Sequence, residues 1–178
     1  MPRLFTGLEV PPDVAESLAI MRGGILGARW IEPQDYHVTL RFLGDIDEWT
    51  AGELAMLLST VRRPPVTLSI GSLDVFGGDK PRALVARIAP SNQLAELQAE
   101  QERLVRRVGL LPEKRKFIPH ITLARLRDTS AWHVADFLSH RGHFLRRSFK
   151  ADRFVLFSSR ASVGGGPYVV EAAYPLAS

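Results

Sequence analysis

The stretch His37-Val38-Thr39-Leu40 is followed in the second half of the chain by a near copy, His120-Ile121-Thr122-Leu123. A proline marks the approach to each copy: Pro33 lies four residues before the first, and Pro119 directly precedes the second. The apolar and β-branched residues of both copies predict β-strands. Two matching strands, one in each half of the chain, predict a two-lobed protein with pseudo-twofold symmetry.

The spacing within each copy places the polar side chains on one face of its strand. Residues two apart in a strand point to the same side, so His37 lies beside Thr39 and His120 beside Thr122. The apolar residues between them take the opposite face, toward a core. If the two strands face each other across a cleft, two imidazoles and two hydroxyls converge there.

Two histidines and two threonines suit acid–base chemistry at a phosphate. An imidazole with a pKa near 6.5 has both protonation states available at neutral pH, so one histidine can accept a proton while the other donates one. Threonine hydroxyls can donate to non-bridging phosphate oxygens, and no metal is then required. The reaction that fits is in-line attack of water on phosphorus. The alternative is that both pairs are ordinary strand residues.

The composition indicates a globular chain with a mild preference for anionic partners. The 178 residues are 46% apolar and 24% charged, with a mean hydropathy of −0.01. The absence of cysteine excludes disulfide scaffolds, cysteine nucleophiles and thiolate metal sites. No apolar run approaches the ~20 residues of a membrane span, so we expect a cytoplasmic protein. The net charge is +4, and the basic excess in the second half favours nucleic acid, although mildly basic proteins without such a partner are common.

Strand-like and helix-like segments alternate along the chain, and hairpin-like strand pairs recur without a helix between them. This pattern predicts an α+β fold with largely antiparallel sheets and argues against a doubly wound parallel sheet. No linker is long or polar enough to separate two independent domains. We therefore expect residues 1–178 to form a single two-lobed domain with one His-x-Thr motif in each lobe.

Four blocks of the sequence carry a resemblance to a known family, and together they cover nearly the whole chain. They are Arg3-Leu4-Phe5 with Pro11-Pro12, Trp30 through Pro33 with His37 through Gly44, Phe117 through Arg125, and Phe157-Ser158-Ser159-Arg160 with Tyr168. They resemble the 2H phosphoesterases, and within them the RNA 2′,3′-cyclic phosphodiesterases, the LigT-like proteins formerly called 2′-5′ RNA ligases. The resemblance implies a bilobal fold: two largely antiparallel sheets around a central cleft, with helices outside.

The resemblance also implies an activity, namely hydrolysis of RNA that ends in a 2′,3′-cyclic phosphate to leave a 2′-phosphate. By analogy with the family, His37 is the proton donor to the departing 3′ oxygen, and His120 is the proton acceptor from water. Thr39 and Thr122 would hold the phosphate oxygens, without a metal ion or other cofactor. Reversible 2′-5′ RNA ligation is implied as a secondary activity. The residues alone do not decide which histidine is the acid.

Four further residues are candidates for substrate binding. Arg125 stands five residues after the second histidine, where the family has an arginine that approaches the phosphate. Strict alternation puts Arg125 on the opposite face, so it reaches the site only if the strand ends or bulges after Leu123. Arg41 has the same alternation as the first histidine and is a candidate rim residue in contact with RNA. Phe5 and Tyr168 are candidates for stacking a terminal base, with core packing as the alternative.

Two other functions stay open. A protein of this fold could act on a small cyclic phosphate, such as a nucleotide or an ADP-ribose derivative, or it could bind RNA without turnover. We expect a monomer whose partner is RNA with a 2′,3′-cyclic phosphate end, or a cyclic nucleotide. A basic stretch before the second motif could track phosphates or could be an ordinary solvated surface. It consists of Arg103, Arg106, Arg107, Lys114, Arg115 and Lys116.

Two other features are set aside as functional sites. His133, His140 and His143 have spacings that match no metal-binding pattern, which favours a solvated helix end. The run Gly164-Gly165-Gly166 lacks the strand and helix that flank a nucleotide-binding loop, so we expect a turn.

Overall fold

The structure, a computed structural model, describes residues 3–141, 146–159 and 167–177. Within them lie nine strands, four α-helices and a 3₁₀-helix over Pro33–Asp35. The strands are β1 (Arg3–Glu9), β2 (Ala28–Trp30), β3 (His37–Asp45), β4 (Val66–Phe76), β5 (Ala83–Ile88), β6 (His120–Leu126), β7 (Arg147–Ala151), β8 (Arg153–Ser159) and β9 (Tyr168–Pro175). The helices are α1 (Pro12–Ala19), α2 (Glu48–Leu58), α3 (Asn92–Arg107) and α4 (Ala131–Arg141). Arg160, His143 and the Gly164-Gly165-Gly166 run lie outside the described residues.

The strands form a nine-stranded sheet in which the paired strands run antiparallel. Its order is β7-β4-β5-β6-β3-β1-β8-β9, and β2 pairs with β6. Each half of the sheet therefore has a motif strand at the centre, and three further strands follow it toward the edge of the sheet. The predicted α+β architecture is confirmed, and the two motif strands are neighbours.

The two predicted sheets are joined into one at a single residue pair. β3 and β6 are paired only through Val38 and Ile121, the second residues of the two motifs. An antiparallel pair of equivalent residues has a local twofold axis between its members, which agrees with the predicted pseudo-symmetry. The junction is short because β2 occupies the next part of the same edge of β6, with Trp30 opposite Ala124.

Local sequence signals explain the helices that cover the core. The Ser91 side chain accepts a hydrogen bond from the backbone N–H of Leu94 and caps α3, and Asp47 caps α2 in the same way through Thr50. The buried face of α3 joins a core that contains residues from both halves of the sheet. In the described part of the chain, no helix is both long and apolar enough to cross a membrane.

Candidate active site

Both motifs lie at the centre of the sheet, on the neighbouring strands β3 and β6. The histidine and threonine of each motif are partly exposed, whereas Val38 and Ile121 between them are both 0% exposed. The structure thus has the alternation that the spacing predicts. Because Val38 lies directly opposite Ile121, the two polar pairs share the other side of the sheet.

A backbone carbonyl two residues earlier orients each imidazole. The Nδ1 atom of His37 lies 2.8 Å from the carbonyl oxygen of Asp35, and that of His120 lies 2.7 Å from the carbonyl oxygen of Ile118. A carbonyl can only accept, so both Nδ1 atoms carry the hydrogen and donate it. In the neutral ring Nε2 is then the acceptor, which leaves it able to take up a proton.

The first motif has an additional internal hydrogen bond. The Thr39 hydroxyl lies 3.0 Å from Nε2 of His37 and donates to it when the ring is neutral. Among the described residues, the second motif has no corresponding bond between Thr122 and His120. The two histidines therefore differ in how accessible Nε2 is before a ligand arrives.

The surroundings of both histidines lower their pKa. Burial is the main cause for His37 and lowers its pKa to about 4, against the opposing effect of the hydrogen bond to Asp35; the positive charges of His120 and Arg125 lower it further. Burial also lowers the pKa of His120 from 6.5, helped by Arg125 and Arg87 and opposed by the hydrogen bond to Ile118. Both rings are therefore predominantly neutral at pH 7 in the empty cleft.

Aromatic rings surround His37. The ring centroids of Phe5 and Tyr168 lie 4.9 Å from the imidazole, and that of Phe157 lies 5.5 Å away. Phe5 and Phe157 also stack on each other at 4.9 Å. These three rings form an aromatic wall that excludes water from one side of His37, which explains why burial is the main cause of its lowered pKa.

The wall changes the interpretation of the two aromatic candidates. Phe5 is only 5% exposed and packs between Phe157 and the imidazole of His37. Its predicted stacking on a terminal base does not fit, because its ring faces are already occupied. Tyr168 is partly exposed at the mouth of the cleft, so its role in base stacking stays a prediction.

The cleft beside His37 is open to solvent, and its empty space of about 460 Å³ includes the solvent at its mouth. It is lined by Arg3, Phe5, His37, Thr39, Phe42, Arg125, Ser159 and Tyr168.

A charged residue and an aromatic ring lie beside His120. Arg87 on β5 lies directly opposite His120 and forms an ion pair with Asp74 at 2.9 Å. The edge of Phe76 contacts the imidazole, with the ring centroids 4.8 Å apart. The charged Arg87 is a functional candidate that sequence reasoning missed, since only the pairing of β5 with β6 places it there.

A β-bulge in each motif strand shifts the alternation after the fourth motif residue. In the pairing of β5 with β6, Val85 lies opposite Thr122 and Leu84 lies opposite Ala124. Leu123 of β6 is therefore an extra residue without a partner on β5. Leu123 and Ala124 are both buried, and Arg125 returns to the cleft side, where it lines the pocket. The bulge that Arg125 needs is therefore present.

The equivalent bulge in β3 has the opposite consequence for Arg41. Thr39 pairs with Gly7 and Arg41 with Thr6, so Leu40 is the extra residue and Arg41 turns into the core. Phe42, five residues after the first histidine, then lines the cleft as Arg125 does in the second motif. Sequence reasoning missed Phe42, although its spacing from the histidine matches that of Arg125.

The prediction that Arg41 lies on the rim is wrong. Arg41 is 7% exposed, and its guanidinium forms an ion pair with Glu102 of α3. It also donates to the carbonyl oxygens of Phe42 and Leu111, at 2.5 and 2.6 Å. Arg41 therefore ties the bulge of β3 to α3 and to the loop that leads into the second motif.

The remaining candidates lie outside the cleft lining. His133 and His140 are exposed on or near α4, and no group of three potential ligands among the described residues could hold a metal ion. In the basic stretch, three arginines form ion pairs with glutamates, whereas the other three cations are exposed and have no ion pair with any described residue. The paired ones are Arg103, Arg106 and Arg115, and the unpaired ones are Arg107, Lys114 and Lys116.

Comparisons with known proteins show which proteins this chain resembles. A Bacillus subtilis protein named RNA 2′,3′-cyclic phosphodiesterase is 36% identical over 132 residues, or 70% of this chain and 71% of that protein. A Thermotoga maritima protein of the same name is 27% identical over 177 residues, or 94% and 92%. The crystal structure of E. coli LigT complexed with 3′-AMP has the same fold, with a TM-score of 0.78 at 24% identity over 99% of both chains.

The family model described as LigT-like phosphoesterase matches residues 8–86 and 88–168. These ranges contain both His-x-Thr motifs and most of the cleft. The chain therefore belongs to the LigT-like phosphoesterase family.

Proposed function

We propose that the protein hydrolyses the 2′,3′-cyclic phosphate at the end of an RNA chain and leaves a 2′-phosphate. The observation that supports this most directly is the matched orientation of two imidazoles, each with Nδ1–H on a backbone carbonyl and with Nε2 available for proton transfer. The similar proteins from Bacillus subtilis and Thermotoga maritima are both named for this activity.

The proposed step moves two protons and breaks one P–O bond. A water oxygen attacks phosphorus and gives its proton to Nε2 of His120. The bond between phosphorus and the 3′ oxygen breaks, and protonated His37 gives its Nε2 proton to that oxygen. The hydroxyls of Thr39 and Thr122 donate to the non-bridging oxygens, where negative charge accumulates. In 2′-5′ ligation the 5′-hydroxyl of another RNA would take the place of water: its oxygen attacks phosphorus, its proton goes to Nε2 of His120, and the 3′ oxygen leaves with the proton from His37, so that a 2′-5′ linkage forms.

Binding of the substrate prepares His37 for its role as an acid. The pKa of about 4 in the empty cleft leaves this ring neutral at pH 7. A bound phosphodiester anion beside the ring favours the imidazolium and raises that pKa. The Thr39 hydroxyl, which donates to Nε2 of neutral His37, becomes free to donate to a phosphate oxygen once Nε2 carries a proton.

Arg125 supplies positive charge beside the reacting phosphate in this proposal. It lines the same cleft as His37 and Thr39, and its charge lowers the pKa of both histidines. A cation that affects both imidazoles is placed to attract an anion lying between them. Tyr168 at the mouth of the cleft is the remaining candidate for stacking the terminal base.

The test is product analysis with a defined RNA. An oligonucleotide with a 2′,3′-cyclic phosphate end is incubated with the protein in excess chelator, beside cyclic mononucleotides and a matched RNA that carries a 3′-phosphate. We expect a 2′-phosphate product from the first RNA, no change in the second, and undiminished activity in chelator. Turnover of mononucleotides alone would favour the small-substrate alternative. Binding without turnover would favour an RNA-binding module, and activity restored only by a divalent ion would contradict the mechanism.

A further inference from the structure

Two arginines face each other across neighbouring strands at the edge of the cleft. Arg29 on β2 lies directly opposite Arg125 on β6. Directly opposite residues in an antiparallel pair share one face of the sheet, and Arg125 lines the cleft. The other residues of β2 agree with this orientation, because Ala28 and Trp30 pack against the core while Arg29 is exposed.

Nothing in the described part of the chain neutralises this pair. Neither Arg29 nor Arg125 has a hydrogen bond or an ion pair through its side chain there. By contrast, nine other arginines are in ion pairs with carboxylates: Arg22, Arg41, Arg63, Arg87, Arg103, Arg106, Arg115, Arg147 and Arg153. Like charges directly opposite each other destabilise a sheet. An anion between them removes that repulsion, and two guanidinium groups offer the paired donors that phosphate accepts.

The position of the pair indicates which anion it takes. Arg125 adjoins the site of the cyclic phosphate, and Arg29 extends the positive charge along β2, away from the two motifs. RNA that ends in a cyclic phosphate carries its next phosphate on the 5′ oxygen of the terminal nucleotide. A cyclic mononucleotide with a 5′-hydroxyl has no such group.

We propose that Arg29, together with Arg125, forms a subsite for the phosphate on the 5′ oxygen of the terminal nucleotide, and that this subsite selects RNA ends over cyclic mononucleotides. The proposal rests on the proposed function for its substrate. It adds a specificity-determining residue, Arg29, that lies on neither motif strand.

The test compares two small substrates that differ only in the 5′ group. A nucleoside 2′,3′-cyclic phosphate is assayed with a 5′-hydroxyl and with a 5′-phosphate, using wild type, Arg29→Gln and Arg29→Lys. Arg107→Gln is the matched control, because Arg107 is also exposed and unpaired but lies at the end of α3. We expect wild type to prefer the 5′-phosphorylated substrate by about 10- to 100-fold in kcat/KM, as for one hydrogen-bonded charge pair. Arg29→Gln should abolish the preference without affecting the 5′-hydroxyl substrate.

Two other variants test whether the preference depends on a positive charge at position 29. Arg29→Lys should retain part of the preference, and Arg107→Gln all of it. Equal losses on both substrates, or a preference that survives in Arg29→Gln, would overturn the subsite and leave the proposed function standing.

A binding measurement separates the subsite from turnover. Calorimetry compares a nucleoside 2′,5′-bisphosphate with the 2′-monophosphate, on wild type and on Arg29→Gln. A bisphosphate preference that Arg29→Gln removes supports the subsite even if no substrate is hydrolysed, in which case the proposed function alone is wrong. Absence of both turnover and a bisphosphate preference would overturn both proposals.

Discussion

The two halves of the cleft have the same backbone arrangement but differ in the side chains that line them. In each half a motif strand bulges after its fourth motif residue and returns a side chain to the cleft, Phe42 in the first half and Arg125 in the second. The residue opposite the histidine is Glu9 in one half and Arg87 in the other. The first half is an aromatic wall, and the second is a basic surface.

The two histidines therefore have different surroundings although their strands are related by the pseudo-symmetry. The aromatic wall buries His37 and lowers its pKa to about 4, so in the proposed mechanism the protonation of His37 depends on the charge of the bound substrate. Burial is also the main cause of the lowered pKa of His120, and the positive charges of Arg125 and Arg87 lower it further. In the proposed mechanism a neutral His120 suits the base, whereas His37 needs the anionic substrate in order to become the protonated acid.

The largest expected effect comes from removing either histidine. His37→Ala and His120→Ala should each lower kcat by about 10²–10⁴, the range for a positioned proton-transfer group. The double variant should lose less than the product of the two single losses, since both groups act in one transition state. Steady-state kinetics on the cyclic-phosphate RNA measures this.

Thr39→Ala and Thr122→Ala provide the matched comparison, because each removes one donor and leaves both imidazoles. Their losses should be smaller than those of the histidine variants, with the fold retained in all cases by circular dichroism. Near-full activity in a folded His37→Ala or His120→Ala variant would remove that residue from the mechanism and refute the symmetric assignment.

The second prediction concerns the buried cation that only the first half contains. Arg41→Ala gives β3 the residue that β6 has at the equivalent position, Ala124. It leaves Glu102 without its buried partner, so we expect a loss of about 3–5 kcal/mol in the free energy of unfolding. Arg106→Ala removes an exposed partner of the same glutamate and should cost at most about 1 kcal/mol. Urea denaturation compares them, and equal losses would show that burial does not distinguish the two pairs.

The third prediction concerns pH. In the proposed mechanism the reactive free enzyme has one histidine protonated and one neutral, and the pKa values of both lie below 6.5. The kcat/KM should therefore fall as pH rises above about 6.5 and fall again below about 4, where both rings are protonated. The kcat optimum should lie at higher pH, because bound phosphate raises both pKa values. A kcat/KM optimum well above pH 7 would contradict the role of burial.

NMR titration tests the cause of the His37 shift directly. Phe5→Leu thins the aromatic wall and should move the pKa of His37 from about 4 toward 6.5. Phe76→Leu is the control, because Phe76 contacts His120 and should leave His37 unchanged. An unchanged His37 in the Phe5→Leu variant would show that the wall does not set its pKa.

The smallest expected effect lies outside the cleft, in the basic stretch. Charge reversal of Arg107, Lys114 and Lys116, which are exposed and unpaired, should weaken binding of long RNA. Each lost phosphate contact should make the slope of log affinity against log salt shallower by about 0.7. Cyclic mononucleotides should be nearly unaffected, because they cannot reach this surface. Equal losses on both substrates would mean that these residues support the fold or the catalytic centre.

Local alternation within one strand is enough to place several of the site residues. The identity of the four motif side chains, their shared face and the buried residues between them follow from a period of two within a single strand. The α+β architecture likewise follows from strand and helix patterns and from the short connections between strands. These features need no knowledge of which strand lies beside which.

The end of the alternation in each motif strand, and the residues that lie opposite it, depend on pairing between distant segments. The bulges at Leu40 and Leu123 exist because β1 and β5 pair in shifted register, and this contact between distant segments reverses the predicted positions of Arg41 and Arg125. The aromatic wall around His37 and the pairing of Arg29 with Arg125 have the same origin. A side chain's neighbours across a sheet are set by long-range register, which the local sequence pattern does not encode.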